Sequence, residues 1–191
     1  DYAFYKTSIA NIVFANGVVI GDYAFANTNN VNLITIPENV IVGASAFANS
    51  NAESIKLIGG NIELGDYAFA NNDVVKTIDL SNVVALGEGV FEGSGRLESV
   101  VLGNNITTLP NNLFFECIAL KSIDLTGVTN IGESVFEGCI NLKTVTNTNS
   151  LREIGERAFV NAHALKTIDL SNVIEIRDTA FGNVISLESI D

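Results

Sequence analysis

The sequence has no Met and no Trp, a single His at position 163, two Cys and two Pro in 191 residues. Two cysteines exclude a disulfide-stapled scaffold, so a buried core has to hold the chain together. One histidine removes most metal-site and histidine-based catalytic designs, and His163 has no nucleophile motif beside it. Cations are scarce: 10 Lys and Arg stand against 22 Asp and Glu, a formal net charge of −12. That balance excludes a general affinity for nucleic acid or an anionic membrane, both of which require clustered Lys and Arg. No apolar run approaches the ~20 residues needed to cross a bilayer. No glycine-rich phosphate loop precedes a helical pattern. The chain opens Asp1-Tyr2-Ala3-Phe4, and no charged and apolar leader pattern can be read there, which says nothing about compartment. With Met absent, we expect an excised piece of a longer array.

What is present is strongly ordered. The chain is 47% hydrophobic, too apolar for disorder, and carries 24 Asn and 11 Phe. Nine phenylalanines (Phe4, Phe25, Phe47, Phe69, Phe91, Phe114, Phe136, Phe159 and Phe181) recur at spacings of 21, 22, 22, 22, 23, 22, 23 and 22. Such a period is the signature of a solenoid. From Phe114 the apolar positions continue as Leu120, Ile123, Leu125, Val128 and Ile131, and from Phe159 as Leu165, Ile168, Leu170, Val173 and Ile176. The Ile-x-Leu segment is a short alternating strand signal. Gly-x-x-Ala-Phe predicts a turn leading into a short helical or 3-10 turn. One unit cannot bury these side chains alone, whereas stacked units cover each other. A second period overlies the first: Lys76-Thr-Ile-Asp-Leu80, Lys121-Ser-Ile-Asp-Leu125 and Lys166-Thr-Ile-Asp-Leu170 lie 45 residues apart. No linker or charge run interrupts the array, so residues 1–191 are expected to form one domain of about eight to nine units.

The pattern Ile-x-Leu-x-x-Val-x-x-Ile-Gly-x-x-Ala-Phe-x-x-Cys-x-x-Leu resembles the BspA-like leucine-rich repeats, and Phe136-Glu-Gly-Cys-Ile-Asn-Leu142 fits it well. Val83, Val128 and Val173 stand where common leucine-rich repeats carry Asn. Pro110 and Arg177 depart from the pattern by replacing Gly, and Asn147 stands in place of Leu. The resemblance implies an α/β repeat fold: a right-handed, curved solenoid with a parallel sheet on its concave face and short helical or 3-10 turns on its convex side. It also implies an extracellular or cell-surface, non-enzymatic module concerned with adhesion or protein–protein interaction. Its partner would be a protein, such as a host or matrix protein. Alternatives are a structural spacer or, less favoured, a parallel β-helix carbohydrate-active enzyme. Such enzymes place catalytic acids on loop insertions, for which the constant unit length leaves no room.

Several recurring positions are candidates for function. Strand residues that alternate with buried ones should line the concave face, giving Thr77, Ser99, Ser122, Thr144 and Thr167 in one row. Asp79, Asp124 and Asp169 form another, with Thr146 and Val101 between them. No local geometry demands Asp in an exposed strand, where its propensity is poor, so this face is the leading candidate for binding. The aspartates lie two units apart, about 9–10 Å by strand spacing, too far to share one calcium. No metal or cofactor is expected. Acids three residues before Phe (Asp22, Asp66, Glu88 and others) are expected to cap helical turns. Asn or Gly two residues after Phe suits positive φ. Tyr2, Tyr23 and Tyr67 are expected to be partly buried against the Phe layer. Cys117 and Cys139, in adjacent units, are expected to be free buried thiols, although their stacking leaves a disulfide open. Asn105-Ile106-Thr107 is a lone glycosylation acceptor pattern.

Overall fold

The structure, a computed structural model, describes residues 1–190. Each interval between grid phenylalanines is one coil carrying two short strands. The first series forms the front of the solenoid: Asn11–Val13, Leu33–Ile36, Ser54–Leu57, Thr77–Asp79, Ser99–Val101, Ser122–Asp124, Thr144–Thr146, Thr167–Ile168 and Ser189–Ile190. The second series forms a flank: Val19–Ile20, Ile41–Val42, Ile62–Leu64, Val83–Leu86, Thr108–Leu109, Asn130–Ile131, Glu153–Ile154 and Glu175–Ile176. Every pairing is parallel and joins a strand to its counterpart one coil on, as in Asn11↔Leu33, Ser122↔Thr144 and Asn130↔Glu153. The 22-residue period is therefore a hydrogen-bonding register. Within the front strands the central residue points inward, so Ile78, Val100, Ile123 and Val145 are buried between exposed neighbours.

The Phe grid is the spine of the core. Phe47, Phe69, Phe91, Phe114, Phe136 and Phe159 are fully buried. Consecutive grid rings stack nearly parallel from Phe4 to Phe181, with centroids 4.8 to 6.0 Å apart. Burial of each ring contributes about 1.5–3 kcal/mol, and an aromatic pair adds about 0.5–1.5 kcal/mol. Beside the rings, the position three after Phe forms an inward row. Thr28, Ser50, Asn72 and Ser94 are buried there, followed by Cys117, Cys139 and Ala162.

The expected helical or 3-10 convex side is not what forms. The one 3-10 helix among the described residues, Thr148–Ser150, lies between a front and a flank strand rather than at a Phe. The Phe segments are successive turns, and the reason is a left-handed residue on either side of each ring. Two before Phe, Tyr23, Ser45, Tyr67, Asn112, Ser134 and Arg157 have φ between 53° and 57°, or 52° for Ser45. Two after Phe, Asn27, Asn49, Asn71, Gly93, Gly138 and Asn161 are also at positive φ. A helix cannot propagate through such residues. Their N–H groups instead bond the next coil, as in Tyr23 N to Ala44 O (2.9 Å), Phe25 N to Ala46 O (2.7 Å) and Asn27 N to Ala48 O (2.8 Å). The intervening amides close turns within their own coil, as in Ala26 N to Tyr23 O at 3.1 Å. The third side of the solenoid is thus a ladder of turns. Eleven of the 24 Asn adopt positive φ, which accounts for much of the Asn richness.

Two local features break the regularity. In the flank ladder, Gly43, Gly65, Gly87, Gly132, Gly155 and Arg177 each donate N–H to the preceding coil, for example Gly87 N to Leu64 O at 2.7 Å. Pro110 occupies the same position and has no N–H to give. The flank sheet divides at that coil into one four-stranded sheet ending at Val83–Leu86 and another beginning at Thr108–Leu109. In the front sheet, the later strands pair in twos: Thr77–Asp79 with Ser99–Val101, Ser122–Asp124 with Thr144–Thr146, and Thr167–Ile168 with Ser189–Ile190. Each pair is one 45-residue double unit of the sequence.

Candidate functional site

The structure brings the nine candidates onto one face. Thr77, Asp79, Ser99, Ser122, Asp124, Thr144, Thr146, Thr167 and Asp169 are all exposed on the front sheet or at its rim. Register places Thr77 beside Ser99, Ser122 beside Thr144, and Asp124 beside Thr146. The two rows differ in what their polar atoms do. The hydroxyls of Thr77, Ser99, Ser122, Thr144 and Thr167 make no side-chain hydrogen bond to another described residue, although their backbones are held in the parallel ladder.

The aspartates, in contrast, are engaged. Asp79 Oδ1 accepts the Ser81 N–H, Asp124 Oδ1 the Thr126 N–H and Asp169 Oδ1 the Ser171 N–H, each at 2.9 Å. These are Asx turns, in which a carboxylate mimics the backbone two residues on. Thr126 Oγ1 adds a bond to Asp124 at 2.7 Å, and Asn147 Nδ2 of the next coil reaches both carboxylate oxygens at 2.9 Å. The Thr126 and Asn147 bonds hold Asp124 below the usual carboxylate range, and Ser171 does the same for Asp169. The expectation that no local geometry demands Asp here is therefore overturned. The three aspartates open the short corners, where three steps separate Leu80 from Val83, Leu125 from Val128 and Leu170 from Val173. Val101 and Thr146 open longer corners, of four steps from Leu102 to Ile106 and from Asn147 to Leu151. Asp recurs every second unit because the short corner does.

Other expected positions are placed as follows. The acids three before Phe do cap turns, but across coils: Asp22 Oδ1 accepts the Ala44 N–H (2.8 Å) and Asp66 Oδ1 the Glu88 N–H (2.9 Å). Tyr67 is half-buried over Gly89, where an added Cβ would sit 2.4 Å from its ring. Tyr2 and Tyr23 are exposed and stack on each other at 4.9 Å. Cys117 and Cys139 are free and fully buried, and burial pushes both thiols up. Their Sγ atoms donate to Phe91 O and Phe114 O at 3.2 Å. Among the described residues no group of three or more His, Cys, Asp or Glu is placed to hold a metal ion, and no helix is long and apolar enough to cross a membrane.

Two arrangements were not anticipated. Asn72 lies at the centre of a buried polar network: its Nδ2 donates to Phe69 O (2.8 Å) and Phe47 O (3.0 Å), while its Oδ1 accepts from Ser50 Oγ (2.8 Å). The signal available was the run of small polar residues at one repeat position. The second is an apolar row four residues after Phe, where Ile118, Ile140 and Ile185 are 46, 39 and 73% exposed.

The family model described as "BspA type Leucine rich repeat region (6 copies)" matches residues 1–121 and 107–191. The chain belongs to the BspA-type leucine-rich repeat family. No curated protein matches it. Among solved structures it is similar to a Treponema pallidum (T. pallidum) leucine-rich repeat protein, with TM-score 0.70 and 26% identity over 78% of this chain and 71% of that one. A Bacteroides ovatus leucine-rich repeat protein gives TM-score 0.68 and 25% identity over 90% of this chain and 52% of that one. A Eubacterium ventriosum leucine-rich repeat protein gives TM-score 0.68 at 21% identity, over 95% of this chain and 66% of that one, a likeness of fold. The chain thus spans between half and about 70% of the length of these relatives.

Proposed function

We propose that this BspA-type repeat chain is a non-enzymatic binding module, displayed at a cell surface or secreted, whose front face engages a protein partner. The observation that carries the reading is the row of five exposed hydroxyls at one position of the front strands, with Thr77 beside Ser99 and Ser122 beside Thr144, none spent on holding the fold. A rigid row of unused donors and acceptors meets a ligand with little ordering cost. The aspartates are secondary here, because their first task is to close corners. The row contains no Trp, Tyr or Arg, the usual hot-spot residues, so affinity has to come from many hydrogen bonds.

Saturable binding to a panel of purified matrix proteins, measured on an immobilised chain, tests this. Replacing Ser99, Ser122 and Thr144 by Ala, Ala and Val should weaken binding at least tenfold with no change in thermal midpoint. A spacer would bind none of the panel, and unchanged affinity in the variant would move the site off the hydroxyl row.

A further inference from the structure

The exposed isoleucines belong to an edge with its own chemistry. Ile118, Ile140 and Ile185 occupy one repeat position in coils six, seven and nine, with His163 in the eighth. In coils one to five that position holds Ser8, Asn29, Asn51, Asp73 and Gly95. A single exposed Ile needs no explanation, but Ile118 and Ile140 in adjacent coils, with Ile185 beyond His163, form an apolar row of the kind that marks interaction sites. Three residues further along the chain, Lys121, Lys143 and Lys166 form a parallel row at the entrance to the front strands. Consecutive coils set like charges about 4.8 Å apart at their backbones, an arrangement unfavourable without an anion nearby. Lys121 pairs with Glu98 and Lys166 with Glu188, but the lysine side chains stay 63 and 64% exposed. Such open pairs are screened by water, contribute little and exchange readily for another carboxylate.

From these observations we infer that the edge formed by Ile118, Ile140 and Ile185 and by Lys121, Lys143 and Lys166 is a docking surface for an extended, acidic protein segment that alternates carboxylate and apolar side chains. An extended chain laid along the solenoid axis sends alternate side chains to opposite sides. One set meets the isoleucines and the other meets the ammonium groups. The net charge of −12 selects against a broad anionic partner. A membrane or long polyanion would meet the repulsion of acids beyond the edge, within about 10 Å at moderate salt. A short segment confined to the edge feels mainly the lysines. The inference rests on the reading of the chain as a binding module, but not on the hydroxyl row.

The test uses the whole chain and a fluorescein-labelled dodecapeptide of alternating Glu and Leu, followed by anisotropy. Saturable binding is expected, weakened at least tenfold by Lys121→Gln with Lys143→Gln and Lys166→Gln, and separately by Ile118→Ser with Ile140→Ser. An alternating Lys and Leu peptide should not bind. A Ser122→Ala, Thr144→Val variant should keep full affinity for the acidic peptide while losing the front-face binding proposed above, which separates failure of one reading from failure of the other. The inference is overturned if the acidic peptide does not bind, if the edge variants bind it as well as the parent, or if the hydroxyl variant loses it equally. Equal or tighter edge-dependent binding to phosphatidylserine vesicles would also overturn it in favour of a lipid surface.

Discussion

The coils before Pro110 and those after it use one architecture with different fillings. In the first group the inward row beside the Phe stack is polar (Thr28, Ser50, Asn72 and Ser94), all buried and tied to backbone carbonyls or to each other. In the second it is Cys117, Cys139 and Ala162, with only the two thiols reaching back to a carbonyl of the preceding coil and no bond between side chains. The outward residues of the flank are mixed in the first group, Val19, Ile41, Glu63 and Ala85 in register, and polar in the second, Asn130, Glu153 and Glu175, where Asn130 Nδ2 bonds Glu153 at 2.8 Å. The exposed isoleucines four after Phe belong to the second group alone, whereas the Lys position seven after Phe is also filled by Lys76 in the first. The stacking register sets which positions face in, and each group then solves satisfaction and solubility locally.

The largest test of this comparison concerns what the groups share. Phe69→Ala and Phe136→Ala, one on each side of Pro110, should each cost about 3–5 kcal/mol in denaturant unfolding. A much smaller loss on one side would mean that the Phe stack is not a common spine. Next, Asn72→Ala should cost about 1–3 kcal/mol by stranding Ser50 and two carbonyls, and Cys139→Ala about 1 kcal/mol, since Ala162 fills the equivalent slot. Equal losses would erase the difference between the inward rows.

Acid should also separate the groups. Asp124 and Asp169 are held low by their corner bonds, and Glu137 by its bidentate pair with Arg157 and its bond to Ser134, which outweigh the opposing effect of its burial. A carboxylate depressed in the folded state stabilises at pH values above its unfolded pKa of about 4 and loses that contribution as pH falls through its folded value. Amide exchange should therefore rise first in coils six to eight as pH is taken from about 5 to 2. The smallest effect is at the junction itself: amides flanking Pro110 should exchange faster than those flanking Gly132, whose N–H is bonded to Leu109 O at 2.9 Å.

Much of this was legible in the sequence. The Phe spacing gave the coil, the Ile-x-Leu alternation gave the front strands, and Asn or Gly after Phe gave the left-handed turns. The convex side was misjudged because Tyr23, Ser45 and Arg157 do not advertise positive φ; only the pull of inter-coil hydrogen bonding puts them there. The role of the aspartates was hidden in a one-residue difference between alternate corners, visible in the 22- and 23-residue steps but meaningless until the Asx turns gave it a cause. The isoleucine row escaped notice because its neighbour three after Phe is buried, and exposure changes from one residue to the next.

The central claim is that the carboxylates of the front face hold corners while its hydroxyls are free for a partner. Thermal unfolding of two double variants tests it directly. Asp79→Ala with Asp124→Ala should remove two corner bonds of about 0.5–1 kcal/mol each and lower the midpoint by about 2–8 °C. Ser99→Ala with Ser122→Ala should leave the midpoint within about 1 °C of the parent, as expected for surface changes. An unchanged midpoint in the aspartate variant, or an equal fall in the serine variant, would contradict the claim.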